Sequence, residues 1–312
     1  MKNCNLTLNN TGTGCTPLLQ VLKKLILVPI FDNTGAKNRI DLSATLNQAY
    51  FDALVNEPEP TKRWYPLPFM KDADANRAEN ITENFKDGSK IFIQQGAKSF
   101  TAVIIEKDAP ARLLKKMNPF RTIEFGVYGI DKDNNLIGML NVAGFLDPIR
   151  VDASSWAPRF VEATDTTSQK IMLQFEWHIN EKDENLDMVT PAELVAGTDI
   201  VNLDGLLDVS LEFSNTATTG FRVELDTDYG TQLNPIRDEG RVAADFISTV
   251  TAATSKVRNT TTNADVSITS VTETSTKGIY DVVYAAQSSG DVIEVTLTKA
   301  GRSYTKNSFA TP

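Results

Sequence analysis

The one histidine of the 312-residue chain, His178, is the first residue to consider for catalysis. A Ser-His-Asp or Cys-His site would have to use it as the base. A zinc site with several histidine ligands cannot be built from a single histidine. His178 occupies a polar position of an alternating segment, which is typical of a solvated strand residue. The sequence therefore predicts no nucleophilic or zinc-dependent chemistry, and we expect that the chain is not an enzyme.

The segment Asp131–Asn135 starts like a calcium-binding loop but does not continue as one. Such a loop needs glycine at its sixth position and a bidentate glutamate at its twelfth, where this chain has Leu136 and Val142. The Gly-Thr-Gly run at 12–14 lacks the third glycine of a dinucleotide fingerprint, and no Walker motif occurs. We therefore predict a solvated hairpin turn at 131–135, and no metal or cofactor.

Two acidic clusters, at 181–184 and 226–228, raise the question of glycoside hydrolysis by paired carboxylates. Neither cluster lies near a set of aromatic residues that would form a sugar-binding cleft. The simpler interpretation is that both are acidic loops at the ends of strands.

The net charge of −9 argues against tight binding to nucleic acid. Such affinity comes largely from lysines and arginines that neutralise phosphates, so this chain is better suited to enclose or conduct DNA than to hold it. An anionic membrane surface is an equally poor partner. The apolar segment Leu18–Phe31 is interrupted by Lys23 and Lys24, and no stretch reaches the roughly 18 apolar residues of a membrane helix. We expect no membrane association and no secretion signal.

Helical periodicity predicts two helices, over Asp41–Asn56 with Ser43 as its N-cap and over Asp108–Met117. Most of the remaining pattern has a period of two, with turns such as Asp87-Gly88 between strands. The predicted strands up to residue 200 are Leu18–Phe31, Lys90–Gln94, Ser99–Ile105, Thr122–Ile130, Leu136–Val142 and Lys170–Asn180.

The segment Lys170–Asn180 has the clearest alternation in the sequence. Such a pattern predicts a strand with one packed and one solvated face. Its predicted apolar face consists of Ile171, Leu173, Phe175, Trp177 and Ile179. Its predicted polar face consists of Lys170, Gln174, Glu176, His178 and Asn180.

Composition divides the chain into three segments. Residues 1–20 are rich in Asn, Thr and Gly and form an N-terminal arm; its Cys4 and Cys15 are either two free thiols or a small disulfide loop. Residues 21–203 form one β domain. In residues 204–312, Thr and Ser become frequent, and short alternating stretches between turns predict a small β-sandwich.

Trp64 and Tyr65 stand beside prolines at 66 and 68, in a run that cannot form a central strand. Two roles are open for them. They anchor an interface with another chain, or they cover the core of their own chain.

Several stretches resemble the tail tube (major tail) proteins of long-tailed phages, in particular phages of Bacteroidetes-type hosts. The resemblance covers about residues 4–194, and the last hundred residues resemble the immunoglobulin-like modules of phage surface proteins. The matching stretches are an Asn-rich start leading into Leu25–Pro29, then Arg63–Pro68, Asp87–Ile93, Val127–Asp131 and Gln169–Phe175.

The resemblance implies a mainly β fold of packed antiparallel sheets with a flanking helix, for which 108–117 is the candidate, and a C-terminal immunoglobulin-like β-sandwich. It implies ring-forming subunits, usually hexameric, that stack around a channel through which DNA passes without tight binding. The implied partners are copies of this chain and other tail proteins, and the implied location is the virion tail, assembled in the host cytoplasm. If the polar face of 170–180 points inward, the channel-lining candidates on this face, which we expect to be net acidic, are Gln174, Glu176 and His178.

Other roles remain open at this stage. The chain could be another virion component, such as a head–tail connector ring, a head fibre or a capsid decoration protein. It could also be a carbohydrate-binding adhesin that uses the C-terminal sandwich.

Overall fold

The structure is a computed structural model, and it describes residues 19–105, 110–229, 233–246, 257–299 and 301–312. The predicted arm, apart from residues 19 and 20, lies outside these ranges together with Cys4 and Cys15. Asp108, the predicted first residue of the second helix, also lies outside them.

The chain divides into two compact units, with one boundary at residues 202 and 203. The first unit contains most of the chain before that boundary, and the second contains residues 203–312. Two earlier segments, 52–65 and 109–119, also belong to the second unit, which differs from the predicted ranges. The helix predicted to flank the tube domain is therefore part of the C-terminal unit.

Fourteen strands precede residue 203 in the described ranges. In chain order they are β1 (Leu22–Pro29), β2 (Ile40–Asp41), β3 (Tyr65–Pro66), β4 (Lys71–Arg77), β5 (Ile81–Asn84), β6 (Lys90–Gln94), β7 (Lys98–Ile105), β8 (Phe125–Asp131), β9 (Leu136–Leu140), β10 (Phe145–Asp147), β11 (Ile149–Arg150), β12 (Arg159–Val161), β13 (Lys170–Glu176) and β14 (Leu186–Val189). They form an eight-stranded sheet in the order β2-β10-β9-β8-β1-β3, with β11 on β8 and β14 on β9. They also form a four-stranded sheet, β12-β13-β7-β4, and a separate two-stranded ribbon, β5-β6.

The centre of the eight-stranded sheet is an antiparallel pair, β1 with β8, in which Leu25 lies opposite Gly129. The apolar run Leu25–Val28 is buried at every position, as expected for a strand covered on both faces. Lys24, which interrupts the apolar run, is also buried. Its amine donates to the Val201 carbonyl at 2.9 Å and lies 5.2 Å from the centre of the Phe69 ring.

Aromatic rings connect the two larger sheets of the first unit. Phe125 of β8 contacts Trp156 at 5.3 Å between ring centres, and Trp156 contacts Phe175 of β13 at 5.6 Å. Phe175 in turn contacts Phe100 of β7 at 5.1 Å. All four side chains are buried, so the inner faces of both sheets share one aromatic core.

The hairpin turn predicted at Asp131–Asn135 is confirmed, between β8 and β9. The Asp131 carboxylate is buried and accepts from the backbone N–H groups of Asp133 and Asn135, both at 2.9 Å. Asn134 has φ +68°, a left-handed conformation that asparagine tolerates. Asp131 thus holds the turn itself and is not arranged as a metal ligand.

Both helices are shorter than the patterns predict: α1 spans Gln48–Val55 and α2 spans Leu113–Met117. Asn47, whose side chain accepts from the Tyr50 N–H at 2.9 Å, caps α1. Ser43 is not its cap, because its hydroxyl and N–H both donate to Asp41 in a turn before the helix. No helix among the described residues is long and apolar enough to span a membrane.

The second unit is a β-sandwich. Its strands are β15 (Leu207–Ala217), β16 (Gly220–Thr227), β17 (Val257–Asn259), β18 (Ala264–Asp265), β19 (Ile268–Glu273), β20 (Ile279–Tyr284), β21 (Val292–Val295), β22 (Arg302–Tyr304) and β23 (Asn307–Ala310). One sheet has the order β19-β20-β16-β15-β22 and the other β18-β17-β21-β23. Inward residues of both sheets, such as Val223 and Ile293, form one buried cluster. The predicted mainly β fold with packed antiparallel sheets is confirmed.

Candidate assembly surface

The three predicted channel-lining residues do not share one strand. Strand β13 ends at Glu176, so Gln174 and Glu176 lie on its exposed face, but His178 lies beyond the strand. The His178 N–H donates to the Arg150 carbonyl at 3.0 Å, and its ring Nδ1 accepts from the Asn180 N–H at 3.3 Å. Ile179, predicted on the apolar face, is 58% exposed. The alternation therefore overstated the length of this strand by four residues.

The exposed face of the β12-β13-β7-β4 sheet is not acidic. Directly paired residues of antiparallel strands point to the same face. The register places Thr101 opposite both Gln174 and Asp74. It also places Arg159 opposite Met172, two residues before Gln174 on β13. Among the described residues, this face carries the basic Lys71, Arg159 and Lys170 and the acidic Asp74 and Glu176. The expectation of a net acidic face is wrong for this sheet.

Trp64 is a core residue, because only 1% of it is exposed. It is therefore not available for contact with another subunit, and the interface role is wrong for Trp64. Tyr65 is half-buried, and its hydroxyl donates to the Pro60 carbonyl at 2.8 Å. Burial raises the pKa of Tyr65 above its ordinary value. The proline-rich run thus covers the core of its own chain.

In the part of the chain that the structure describes, no group of three or more His, Cys, Asp or Glu side chains could hold a metal ion. The acidic residues at 226–228 are engaged in ion pairs: Asp226 with Arg237 at 3.1 Å and Asp228 with Lys116 at 2.9 Å. The Lys116 amine holds the pKa of Asp228 below its usual range. Their geometry is that of bridges within the second unit.

The clearest candidate for function is the two-stranded ribbon β5-β6, for which we use the name apolar ribbon (residues 81–94). Among the described residues, β5 and β6 pair with each other and with no strand of the larger sheets. Five large apolar side chains of the ribbon are between 41% and 57% exposed, namely Ile81, Phe85, Ile91, Phe92 and Ile93. The sequence pattern predicted the strand Lys90–Gln94 but not its exposure.

The apolar side chains lie on both faces of the ribbon. In its register Thr82 lies opposite Phe92 and Glu83 opposite Ile91. Successive residues of a strand point to opposite faces, so Phe92 lies on one face and Ile91 with Ile93 on the other. Three consecutive apolar residues are typical of a strand that is buried on both faces. That run was the signal in the sequence, and here the side chains on both faces are more than half exposed.

The ribbon has a well-defined base and tip. At its base the Ala78 N–H donates to the Ala97 carbonyl at 2.9 Å. A Cβ on Gly96 would lie 1.9 Å from the Ala78 carbonyl oxygen, so only glycine permits this close crossing. At its tip the Asp87 carboxylate accepts from the N–H and hydroxyl of Ser89 at 2.9 and 2.7 Å, which lowers the pKa of Asp87.

The exposure of the ribbon has an energetic consequence. A two-stranded hairpin is marginally stable alone in water, and burying the exposed half of one large apolar side chain contributes about 1 kcal/mol. Five such side chains on a single ribbon would gain several times that amount if both faces were enclosed. Exposed apolar surface of this kind marks the ribbon as a candidate interaction surface.

No known protein-family model matches this chain, and no curated protein shows significant similarity to it.

Proposed function

We propose that this chain is a structural virion protein, a tail tube subunit that assembles with copies of itself into stacked rings around a DNA-conducting channel. The proposal rests on the resemblance of residues 4–194 to tail tube proteins and on the mainly β architecture. The apolar ribbon carries it, because a strand pair with exposed apolar side chains on both faces is suited to burial against further copies.

The charge of the chain is compatible with this role. With a net charge of −9, the subunit has little tendency to adsorb DNA through its phosphates. A ring in which copies cover one another's edges also removes exposed strand edges, which otherwise invite irregular aggregation. DNA would pass through such a ring without being held.

Electron microscopy of the purified protein tests the proposal. We expect rings or hollow tubes for the wild type, and isolated subunits for the triple variant Ile91→Thr, Phe92→Thr, Ile93→Thr, because the ribbon then loses its apolar surface. Sedimentation velocity measures the same difference in solution. Tubes support a tail tube, whereas single rings that do not stack favour a connector.

A matched control replaces exposed apolar residues elsewhere. Val142 and Leu233 are 112% and 90% exposed, so Val142→Thr with Leu233→Thr removes apolar surface without touching the ribbon. This control should assemble like the wild type. A wild type that stays monomeric at high concentration over a range of salt would count decisively against the proposal.

A further inference from the structure

A groove of about 680 Å³ lies beside the apolar ribbon. One wall is formed by Phe92, Gln94 and Gln95, and the other by the loop 179–184 that follows β13. Phe92 and Ile179 contribute apolar surface to this groove and are 56% and 58% exposed. The groove is therefore part apolar and open, with a polar loop as its far wall.

The far wall is acidic. Asp183 is paired with both Arg77 and Lys98, whereas Glu184 reaches only Lys182, at 3.5 Å in an exposed pair. Burial raises the pKa of Glu181 above its ordinary value, and the charge of Arg150 offsets this only in part. Asp183 is thus neutralised within its own chain, and the carboxylates of this wall that remain for a cation in the groove are Glu181 and Glu184.

A smaller cavity beside the groove contains a further feature. The indole N–H of Trp177 is buried and has no hydrogen-bond acceptor among the described residues. It lines a cavity of about 30 Å³ whose walls include Gln95, Ile179 and Glu181, which also line the groove. An unsatisfied buried donor is costly, and a cavity of this size has room for one water molecule that would accept from it.

The tip of the apolar ribbon, residues 85–90, has the complementary chemistry. Lys86 and Lys90 are exposed, and within the described ranges no carboxylate forms an ion pair with either. Asp87, the acidic residue between them, is engaged by Ser89. Phe85 adds an apolar side chain that is 41% exposed. The tip is thus a turn with two exposed lysines and one partly exposed aromatic side chain.

We propose that the ribbon tip of one copy docks in the groove of a second copy, with Lys86 and Lys90 facing Glu181 and Glu184. This inference rests on the proposed function, since it requires that the chain self-assembles. The tip and the groove are different surfaces, so the contact is head-to-tail; repeated between copies, it closes a ring or extends a filament. A docked tip covers Phe92 and Ile179.

Charge reversal tests the contact. The tip variant is Lys86→Glu with Lys90→Glu, and the groove variant is Glu181→Lys with Glu184→Lys. Each alone should need an about tenfold higher concentration to assemble, because like charges then face one another. Mixed in equal amounts, the two should assemble again, since each reversed tip meets a reversed groove and each native tip a native groove. Sedimentation velocity and electron microscopy provide the readout.

Two controls make the result specific. Lys115→Glu with Lys132→Glu changes the net charge equally at exposed sites outside the tip and groove, and it should assemble like the wild type. If the double groove variant melts early, Glu184→Lys alone replaces it, because that side chain is 73% exposed.

The outcomes separate the two proposals. A wild type that never assembles overturns the proposed function and this inference together. A wild type that assembles, with tip and groove variants that assemble equally well or a mixture that does not recover, overturns the docking contact and leaves the proposed function standing.

Discussion

The amine of Lys24 is buried and donates to the Val201 carbonyl, although a lysine inside an apolar run is usually expected at a surface. Asp131 is likewise buried and satisfied by the N–H groups of its own turn. Both cases follow the same rule, that a polar group enters a core when its hydrogen bonds enter with it. A lysine or aspartate in such a position usually contacts solvent or a metal ion, whereas the hydrogen-bond partners of these two residues allow them to be buried.

Glu273 leads to a prediction about pH. Its carboxylate accepts from Lys277 at 2.7 Å, from the Gly278 N–H and from the Tyr280 hydroxyl, both at 3.0 Å, and its pKa is lowered from 4.5 to about 2. A lowered folded-state pKa stabilises the fold above about 4.5, and this contribution is lost as the pH falls towards about 2. We expect the free energy of unfolding of the second unit to fall over that interval.

Urea unfolding at a series of pH values measures this effect. Glu273→Gln should lower the stability at pH 7 and flatten the dependence between pH 4.5 and about 2. Glu239→Gln removes a neighbouring carboxylate and serves as the control. Equal pH slopes in Glu273→Gln and the wild type would show that these hydrogen bonds do not stabilise the fold.

At the scale of elements, the apolar ribbon differs from every other strand pair in the first unit. In each of the other strand pairs of this unit at least one strand has buried side chains, as β7 has beside the exposed β4, whereas every residue of β5 and β6 is exposed. An element that buries so little contributes little to the stability of its own chain. The stability of the first unit therefore does not account for its apolar residues, and the proposed assembly would give them a role.

We predict that removing the ribbon leaves the first unit folded. With residues 81–94 replaced by a short Gly-Ser link, the melting temperature should change by no more than about 2 °C, while assembly is lost. Differential scanning calorimetry and sedimentation velocity measure the two effects. Gly96→Ala, by contrast, should lower the melting temperature, because its Cβ would meet the Ala78 carbonyl oxygen at 1.9 Å. A large loss of stability on removal would mean that the ribbon is part of the core.

At the scale of the whole molecule, the C-terminal unit is not continuous in sequence. Lys116 pairs with Asp208 and Asp228, and the Asn56 side chain accepts from the Gly301 N–H at 3.1 Å. Both Lys116 and Asn56 lie far before residue 203, yet they belong to this unit. A boundary drawn from composition alone assigns them to the other domain.

This organisation predicts that the fragment 203–312 is less stable than the same unit in the full chain, since it lacks the partners from 52–65 and 109–119. Thermal unfolding, monitored by hydrogen exchange, compares the stability of the fragment with that of the same unit in the full chain. In the full chain, Lys116→Ala should lower the free energy of unfolding by about 1 kcal/mol, a small value because its ion pairs are partly exposed to solvent. Lys115→Ala should lower it by less. A fragment as stable as the intact unit would show that the earlier segments add nothing to it.

How much the sequence revealed depends on whether the determining forces are local. The turn at 131–135 and the strand Lys90–Gln94 follow from turn chemistry and strand patterning, and the structure has them. Strand β13 ends at Glu176 although the alternation continues, because the next residues bond to other segments, His178 to Arg150 and Trp177 to Lys98. Such partners lie far away in sequence and leave no mark on the local pattern.

By itself the sequence determined the mainly β character, the acidic charge and the local turns, because these depend on residue types and on contacts between neighbours. Only the tertiary structure decided that Trp64 is core, that the β13 face has mixed charge and that Ile91–Ile93 is exposed on both sides. The exposure of a side chain depends on which other segments pack against it, and this is set by how strands that are distant in sequence pair. The ribbon shows this most clearly, since a run of apolar residues typical of a buried strand is left uncovered by its own chain.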